Sequence, residues 1–272
     1  MDRRVVVTTA VVAVVLLAGC SVLLGDDGAT PAPSPTGTPT PEATPAPTDT
    51  PTPVPLEERE FPDGYGPDGV ENAETAAGTH VETMTGYDSY RFRFDVRVSG
   101  GNGTDDAFVY LTSVDRENGR AFEIRDDGEV TRYQYYENDR VYVRVVSGDE
   151  ATYNATDQQF GQARLAGNQF LDPLLKYVEY GEAEPVSTDN GTVYRYTSER
   201  VTDPGTILSA NISEAEIRSF EVELLVHEDG YIRGAKYVVV TEDGSGLEAV
   251  ATVDSIGEET VTRPDWYDEA AE

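Results

Sequence analysis

Residues 90–98 read Tyr90-Arg91-Phe92-Arg93-Phe94-Asp95-Val96-Arg97-Val98, with an apolar side chain at every even position and a charge at every odd one. A period of two sorts these residues cleanly, whereas a helical period would scatter both sets around its axis. The segment is therefore expected to be a strand with one dry and one wet face. The same alternation recurs at 106–114, 119–125, 129–136, 140–146, 192–199, 219–227, 231–241 and 247–255. Between these runs stand Asp126-Asp127-Gly128, Glu137-Asn138-Asp139, Asp189-Asn190-Gly191, Glu228-Asp229-Gly230 and Glu242-Asp243-Gly244, which supply the positive-φ residues of tight hairpins. Connections this short make neighbouring strands antiparallel.

Working outward, residues 70–85 (VENAETAAGTHVETMT) carry Val70, Ala73, Ala77, Val81 and Met84 at three- and four-residue spacing, which predicts a helix stopped by Gly86. A second helix is expected near 168–180 (NQFLDPLLKYVEY), with Phe170, Leu171, Leu174, Leu175 and Val178 as an apolar stripe and Pro173 early enough for the first turn. A one-faced sheet must bury that face, and a few short helices are the only cover available. The expected fold class is α+β: a curved antiparallel sheet, an open half-barrel, with helices covering the concave face. If they cover it incompletely, a cavity results. Its candidate lining is Phe92, Phe94, Val96, Tyr110, Phe122, Tyr142, Phe220, Val222 and Leu224 from the sheet, facing Leu171, Leu174, Leu175 and Val178 from the helix. These residues read either as a filled core or as the wall of a pocket for a lipid or isoprenoid chain, held by burial at about 25 cal/mol per Å².

At the N-terminus Arg3 and Arg4 precede an uncharged run, Val5 to Leu17, followed at once by Ala18, Gly19 and Cys20. The run is short for a spanning helix of about 20 residues, so it reads as a secretory signal. Leu17-Ala18-Gly19-Cys20 resembles the lipobox of secreted lipoproteins. The resemblance implies that Cys20 receives a diacyl- or dialkylglyceryl group and becomes the first residue after cleavage. The two chains would hold the protein at the outer membrane face. The paired arginines also resemble a twin-arginine export signal, although Asp2-Arg3-Arg4-Val5 fits the fuller motif poorly. Residues 29–55 hold 10 Pro and 8 Thr and no aromatic, a composition that cannot bury enough apolar surface to fold and favours extended polyproline II. The expected organisation is a signal peptide at 1–19, a Thr/Pro-rich stalk at 20–60 and one binding domain at 61–272. Sequons at Asn102, Asn154, Asn190 and Asn211 suit an exported protein.

Charge excludes one class of partner. With 20 Lys+Arg against 51 Asp+Glu, the net charge is 20 − 51 = −31, a field that repels nucleic acid. Only Lys176 and Lys236 accompany 18 arginines. This acidic, lysine-poor composition resembles that of proteins adapted to high salt, where a Debye length of about 3 Å or less screens self-repulsion. Cys20 is the sole cysteine, so neither an internal disulfide nor a cysteine zinc site is possible.

No catalytic residue, cofactor or metal site is expected. His80 and His227 share no ligand spacing and read as surface histidines, and no nucleophile elbow, zincin or phosphate-loop motif occurs. Asp115-Arg116-Glu117-Asn118-Gly119 departs from a calcium loop, with its Gly one position early and Asp126 at the twelfth, and a hairpin turn explains it better. With 51 acids, no carboxylate pair is informative.

The lipobox, the helix at 70–85 leading into Tyr90–Val98, the apolar helix at 168–180 and the late hairpin Phe220-Glu221-Val222-Glu223-Leu224 through Glu228-Asp229-Gly230-Tyr231-Ile232-Arg233 occur in this order. The arrangement resembles the superfamily of the periplasmic carrier of outer-membrane lipoproteins and the mycobacterial lipid-binding lipoproteins, over roughly residues 65–267. It is also similar to uncharacterised secreted lipoproteins of salt-loving archaea. The resemblance implies an apolar cavity between sheet and helices and transfers no site residue. The expected function is a membrane-anchored extracellular lipoprotein that binds or carries a lipid or other apolar ligand. The alternative is a non-catalytic structural or sensory domain of the cell envelope that contacts partner proteins.

Overall fold

A computed structural model describes residues 55–99, 106–159, 161–208 and 214–272. The signal segment, Cys20, most of the stalk, Asn102 and Asn211 lie outside the described residues. A 3-10 turn at Leu56–Glu58 and a two-strand hairpin, β1 (Tyr65–Gly66) and β2 (Gly69–Val70), lead into α1 (Ala73–Gly86). A meander follows: β3 (Ser89–Ser99), β4 (Asp106–Asp115), β5 (Arg120–Asp126), β6 (Val130–Glu137), β7 (Arg140–Ser147) and β8 (Glu150–Asp157). Next come α2 (Gln162–Leu165), α3 (Asn168–Tyr177), β9 (Glu184–Thr188), β10 (Gly191–Ser198), α4 (Pro204–Leu208), β11 (Ile217–His227), β12 (Ile232–Thr241), β13 (Gly246–Asp254) and α5 (Tyr267–Ala271).

The predicted elements form close to their expected limits. α1 begins at Ala73 rather than 70 because Asn72 caps it, its side chain accepting from the Thr75 amide at 2.9 Å. At the β6–β7 turn Asn138 and Asp139 both take positive φ (55° and 57°), as a tight hairpin requires. The 115–119 segment is a turn too, with Asp115 accepting from the Asn118 amide at 3.1 Å. Pro173 lies beyond the first turn of α3, which opens at Asn168 and ends at Tyr177, short of the expected 180. Val178 leaves the helix to bridge Val201.

The half-barrel does not form. The eleven strands make one open antiparallel sheet in the order β8-β7-β6-β5-β4-β3-β13-β12-β11-β10-β9, neither curled nor closed on itself. Strong curvature needs bulges or kinks repeated along the strands. Here the register runs uninterrupted through the successive pairs from β8 to β12, and the irregularities sit in the β11–β12 pair, at Ile217/Ser219 and Leu225/Val226. The two strands that alternation does not predict, β8 and β9, are the sheet's edges. Most of their side chains are exposed, so no buried face imposes a period, and Pro185 and flanking charges discourage further pairing.

Cover is also distributed differently from the expectation. On one face Phe92 stands opposite Thr112 and Val253, and Phe94 opposite Tyr110 and Ala251. This face packs against α1, α2 and α3 in the main core. The opposite face of β5–β7 is covered as well, by Val261, Trp266 and Ala270 of the C-terminal segment. Arg263 ties that segment down through Glu137 at 2.7 Å, and the Val261 amide donates to Asp115 at 3.2 Å. Arg263, Arg120 and Tyr135 hydrogen-bond the Glu137 carboxylate, which outweighs burial and holds its pKa below the usual range.

Candidate functional site

The site begins at a one-turn helix. The last carbonyls of a helix lack intrahelical donors and must find others. Around the C-terminus of α2 three side chains supply them: Tyr110 reaches the Arg164 carbonyl at 3.2 Å, Thr112 donates to that of Leu165 at 2.7 Å, and His80 Nε2 to that of Ala166 at 3.0 Å. His80 therefore lies in the core, not on the surface, with Nδ1 accepting the Ile232 amide at 3.0 Å. That arrangement uses the neutral ring as both donor and acceptor. Burial lowers its pKa from 6.5 to about 4 despite the Ala166 bond.

Gly167 then turns the chain into α3 with φ 77°. It lies so close to the Phe92 ring that a Cβ there would be 2.1 Å from Cζ. The turn presents Phe170 to the sheet, where it stacks on Phe94 with centroids 4.3 Å apart and meets Tyr110 edge-on at 4.9 Å.

Beside this stack a cleft of about 570 Å³ opens to solvent between α2–α3 and β4–β5. Its apolar wall is Phe108, Tyr110, Phe170 and Ala163, and its polar wall is Glu123, Arg125, Arg164, Asn168 and Gln169. Glu123 is fully buried at its base. Its carboxylate accepts from Arg164 and shares the single Tyr110 O–H, at 3.1 Å, with the Arg164 carbonyl. Arg164 also donates to Gln134 Oε1 at 3.0 Å, and Gln134 donates to the Tyr136 hydroxyl at 3.2 Å. Burial and the Glu123 charge raise the Tyr110 pKa, and raise that of Tyr136 to about 12, so both phenols stay protonated. The acids and bases of this cluster are engaged with one another, which leaves no proton donor–acceptor pair aimed at a substrate. Among the described residues no group of three or more His, Cys, Asp or Glu is placed to hold a metal ion.

The sequence-derived lining separates into two sets. Phe92, Phe94, Tyr110, Leu171, Leu174, Leu175, Val178, Phe220, Val222 and Leu224 are buried together in the main core, with Val96 half-buried against it. Of these, Tyr110 also lines the cleft. Phe122 and Tyr142 belong to the other face, against Trp266 and Tyr267. The β4–β5 hairpin decides this, pairing Thr112 with Glu123 and Ser113 with Phe122, so that a charged residue takes the helix-side position. Phe108 and Phe170 were legible as apolar residues in phase with Tyr110 and Leu174, but Glu123, Arg125 and Arg164 carry no local signal. Asn154 and Asn190 are exposed, on β8 and the β9–β10 turn.

A second groove, of about 1070 Å³, lies mainly on the wet face of β10–β12 and is lined by Glu179, Thr197, Glu221, Glu223, Lys236 and Val238 among others. No helix among the described residues is long and apolar enough to cross a membrane.

One open antiparallel sheet with helices across one face and a small aromatic cleft beside them defines an α+β protein. It is similar to the Mycobacterium tuberculosis lipoprotein LppX, at 11% identity over 70% of this chain and 98% of that one, with a TM-score of 0.34. A LolA superfamily protein of Nitrosomonas europaea aligns at 11% identity over 72% of this chain and 96% of its own, with a TM-score of 0.26. The Pseudomonas aeruginosa MucA/MucB complex matches at 12% identity over 71% of this chain and 66% of that one, with a TM-score of 0.26. The chain belongs to DUF7537, a family of unknown function whose model matches residues 107–270. No curated protein matches it.

Proposed function

We propose that this protein is an exported, non-catalytic binding protein, tethered at the outer membrane face through Cys20, that takes an apolar ligand in the cleft beside α3. The observation that carries the reading is the cleft's wall: Phe108 and Phe170, packed on each other and on the buried Tyr110, stay half-exposed along an open space. Such a site holds a ligand by burying apolar area, without chemistry. Residues 1–19 act as the signal, 20–60 as the stalk and 61–272 as the binding domain, and Asn154 and Asn190 are accessible for glycosylation.

Organic extraction of the natively purified full chain, followed by mass spectrometry, is expected to release one apolar compound in near-stoichiometric amount. Ala163→Trp fills the cleft from an exposed position and should abolish its recovery while leaving the melting temperature close to wild type. A wild-type protein that yields nothing extractable overturns the reading. The charged groove on the wet face supports the alternative, an envelope domain that contacts partner proteins. That alternative predicts a stoichiometric protein partner recovered from intact membranes, with nothing extracted.

Adaptation to high salt is part of the same reading. Residues 56–272 carry 18 Lys+Arg and 46 Asp+Glu, a net 18 − 46 = −28. In millimolar salt this charge repels unscreened, and the domain is expected to melt far lower than in molar salt. Equal melting temperatures at the two concentrations would refute it.

A further inference from the structure

We infer that the cleft selects an anionic amphiphile, whose head is held by Arg125, Arg132 and Arg164 while its chain lies on Phe108, Tyr110 and Phe170. This rests on the binding reading above and specifies its ligand. The protein is strongly acidic, yet Arg125 and Arg164 line this cleft and Arg132 stands beside it. Arg125 and Arg132 are directly opposite partners on β5 and β6, on the helix-side face. Like charges at such a position destabilise a sheet unless something negative lies between them. Arg132 and Arg164 both donate to one atom, Gln134 Oε1, at 3.2 and 3.0 Å, which brings their head groups together. The Arg125 guanidinium lies over the Phe108 ring, 5.4 Å from its centroid, and so edges the aromatic wall with positive charge.

The carboxylate within the cluster is Glu123, buried and already bound by Arg164 and Tyr110. Asp127 feels the charge of Arg125 from the β5–β6 turn, but its carboxylate accepts from the Glu129 and Val130 amides, at 3.2 and 2.9 Å. Among the described residues no ion pair joins Arg125 or Arg132 to a carboxylate. Arg125 thus lines the cleft and Arg132 stands opposite it on β6, both exposed and with spare hydrogen-bonding capacity. Phosphate, phosphonate, sulfate or carboxylate heads match that geometry.

Calorimetric titration of the full chain at fixed salt with octyl phosphate, octanol and inorganic phosphate tests the inference. Octyl phosphate is expected to bind about tenfold or more tighter than either octanol or inorganic phosphate, since a charge-assisted contact is worth that factor. Arg125→Gln combined with Arg132→Gln should bring the ratio of octyl phosphate to octanol affinity down to about one. Arg125→Lys keeps the charge and should keep part of the preference, and melting curves check that each variant is folded. Equal affinities for octyl phosphate and octanol overturn the anionic head while the apolar cleft stands. Inorganic phosphate binding as tightly as octyl phosphate overturns the amphiphile in favour of a free anion. No binding of any probe, with nothing extracted, overturns both readings.

Discussion

Replacing Gly167 with alanine is expected to destabilise the protein by about 3 kcal/mol or more and to loosen α3 from the sheet. Two costs fall on the same Cβ. The backbone there has φ 77°, a left-handed conformation that strains any L side chain. The new carbon would also sit 2.1 to 2.3 Å from three atoms of the Phe92 ring, and Phe92 is wholly buried beneath the turn with no room to withdraw. Gly148→Ala is the matched control, because Gly148 also has positive φ (57°) but nothing within 4 Å of the added carbon. It should cost about 1 kcal/mol, the conformational part alone. Denaturant midpoints of both variants at high salt check the difference. Equal losses would mean that the turn is not pressed onto Phe92 as described. Because Phe170 follows three residues later, Gly167→Ala is also expected to weaken ligand binding in the cleft more than Gly148→Ala does.

The second large effect is acid destabilisation through His80. Its pKa is about 4 in the folded protein and 6.5 in the unfolded chain, so between these values the unfolded state binds the extra proton. Stability therefore rises with pH across this window and falls as pH drops through it. Going from neutral pH to about 4 should remove about 3 kcal/mol from this group. The physical cause is that a protonated ring has no lone pair for the Ile232 amide and places a charge where no carboxylate compensates it. Denaturation of wild type and His80→Gln between pH 4 and 7 provides the check. The variant should be less stable at neutral pH and show a shallower pH dependence. Parallel curves would rule out the assignment. Below this window Glu137 and Asp115, both held below the usual carboxylate range, should lose their contribution as they take up protons.

Most of the strand order was legible because alternation is a property of adjacent residues. From Ser89 to Ser99 the pattern needs no knowledge of the rest of the chain, and the strands at 106–115, 120–126 and 130–137 follow from their own turns. Edge strands β8 and β9 were not legible, since a strand with no buried face has no pattern to read. The histidine in α1 was misjudged for a related reason. His80 enters the core to satisfy backbone groups, and the carbonyl that it serves belongs to Ala166, far along the chain.

What the sequence determined alone was local and additive: the period of each segment, the antiparallel sense set by short turns, the acidic charge and the exclusion of an internal disulfide. Tertiary structure alone decided that the sheet stays open, that β13 docks on β3, and that Phe122 and Tyr142 turn away from the helices while Glu123 faces them. It also brought Arg125 and Arg164 to one cleft and set Arg132 beside them through Gln134. These outcomes depend on register between segments and on which backbone groups remain unpaired after packing. Neither quantity is carried by a single stretch of chain, because a one-residue change in pairing moves every side chain of a strand to the other face.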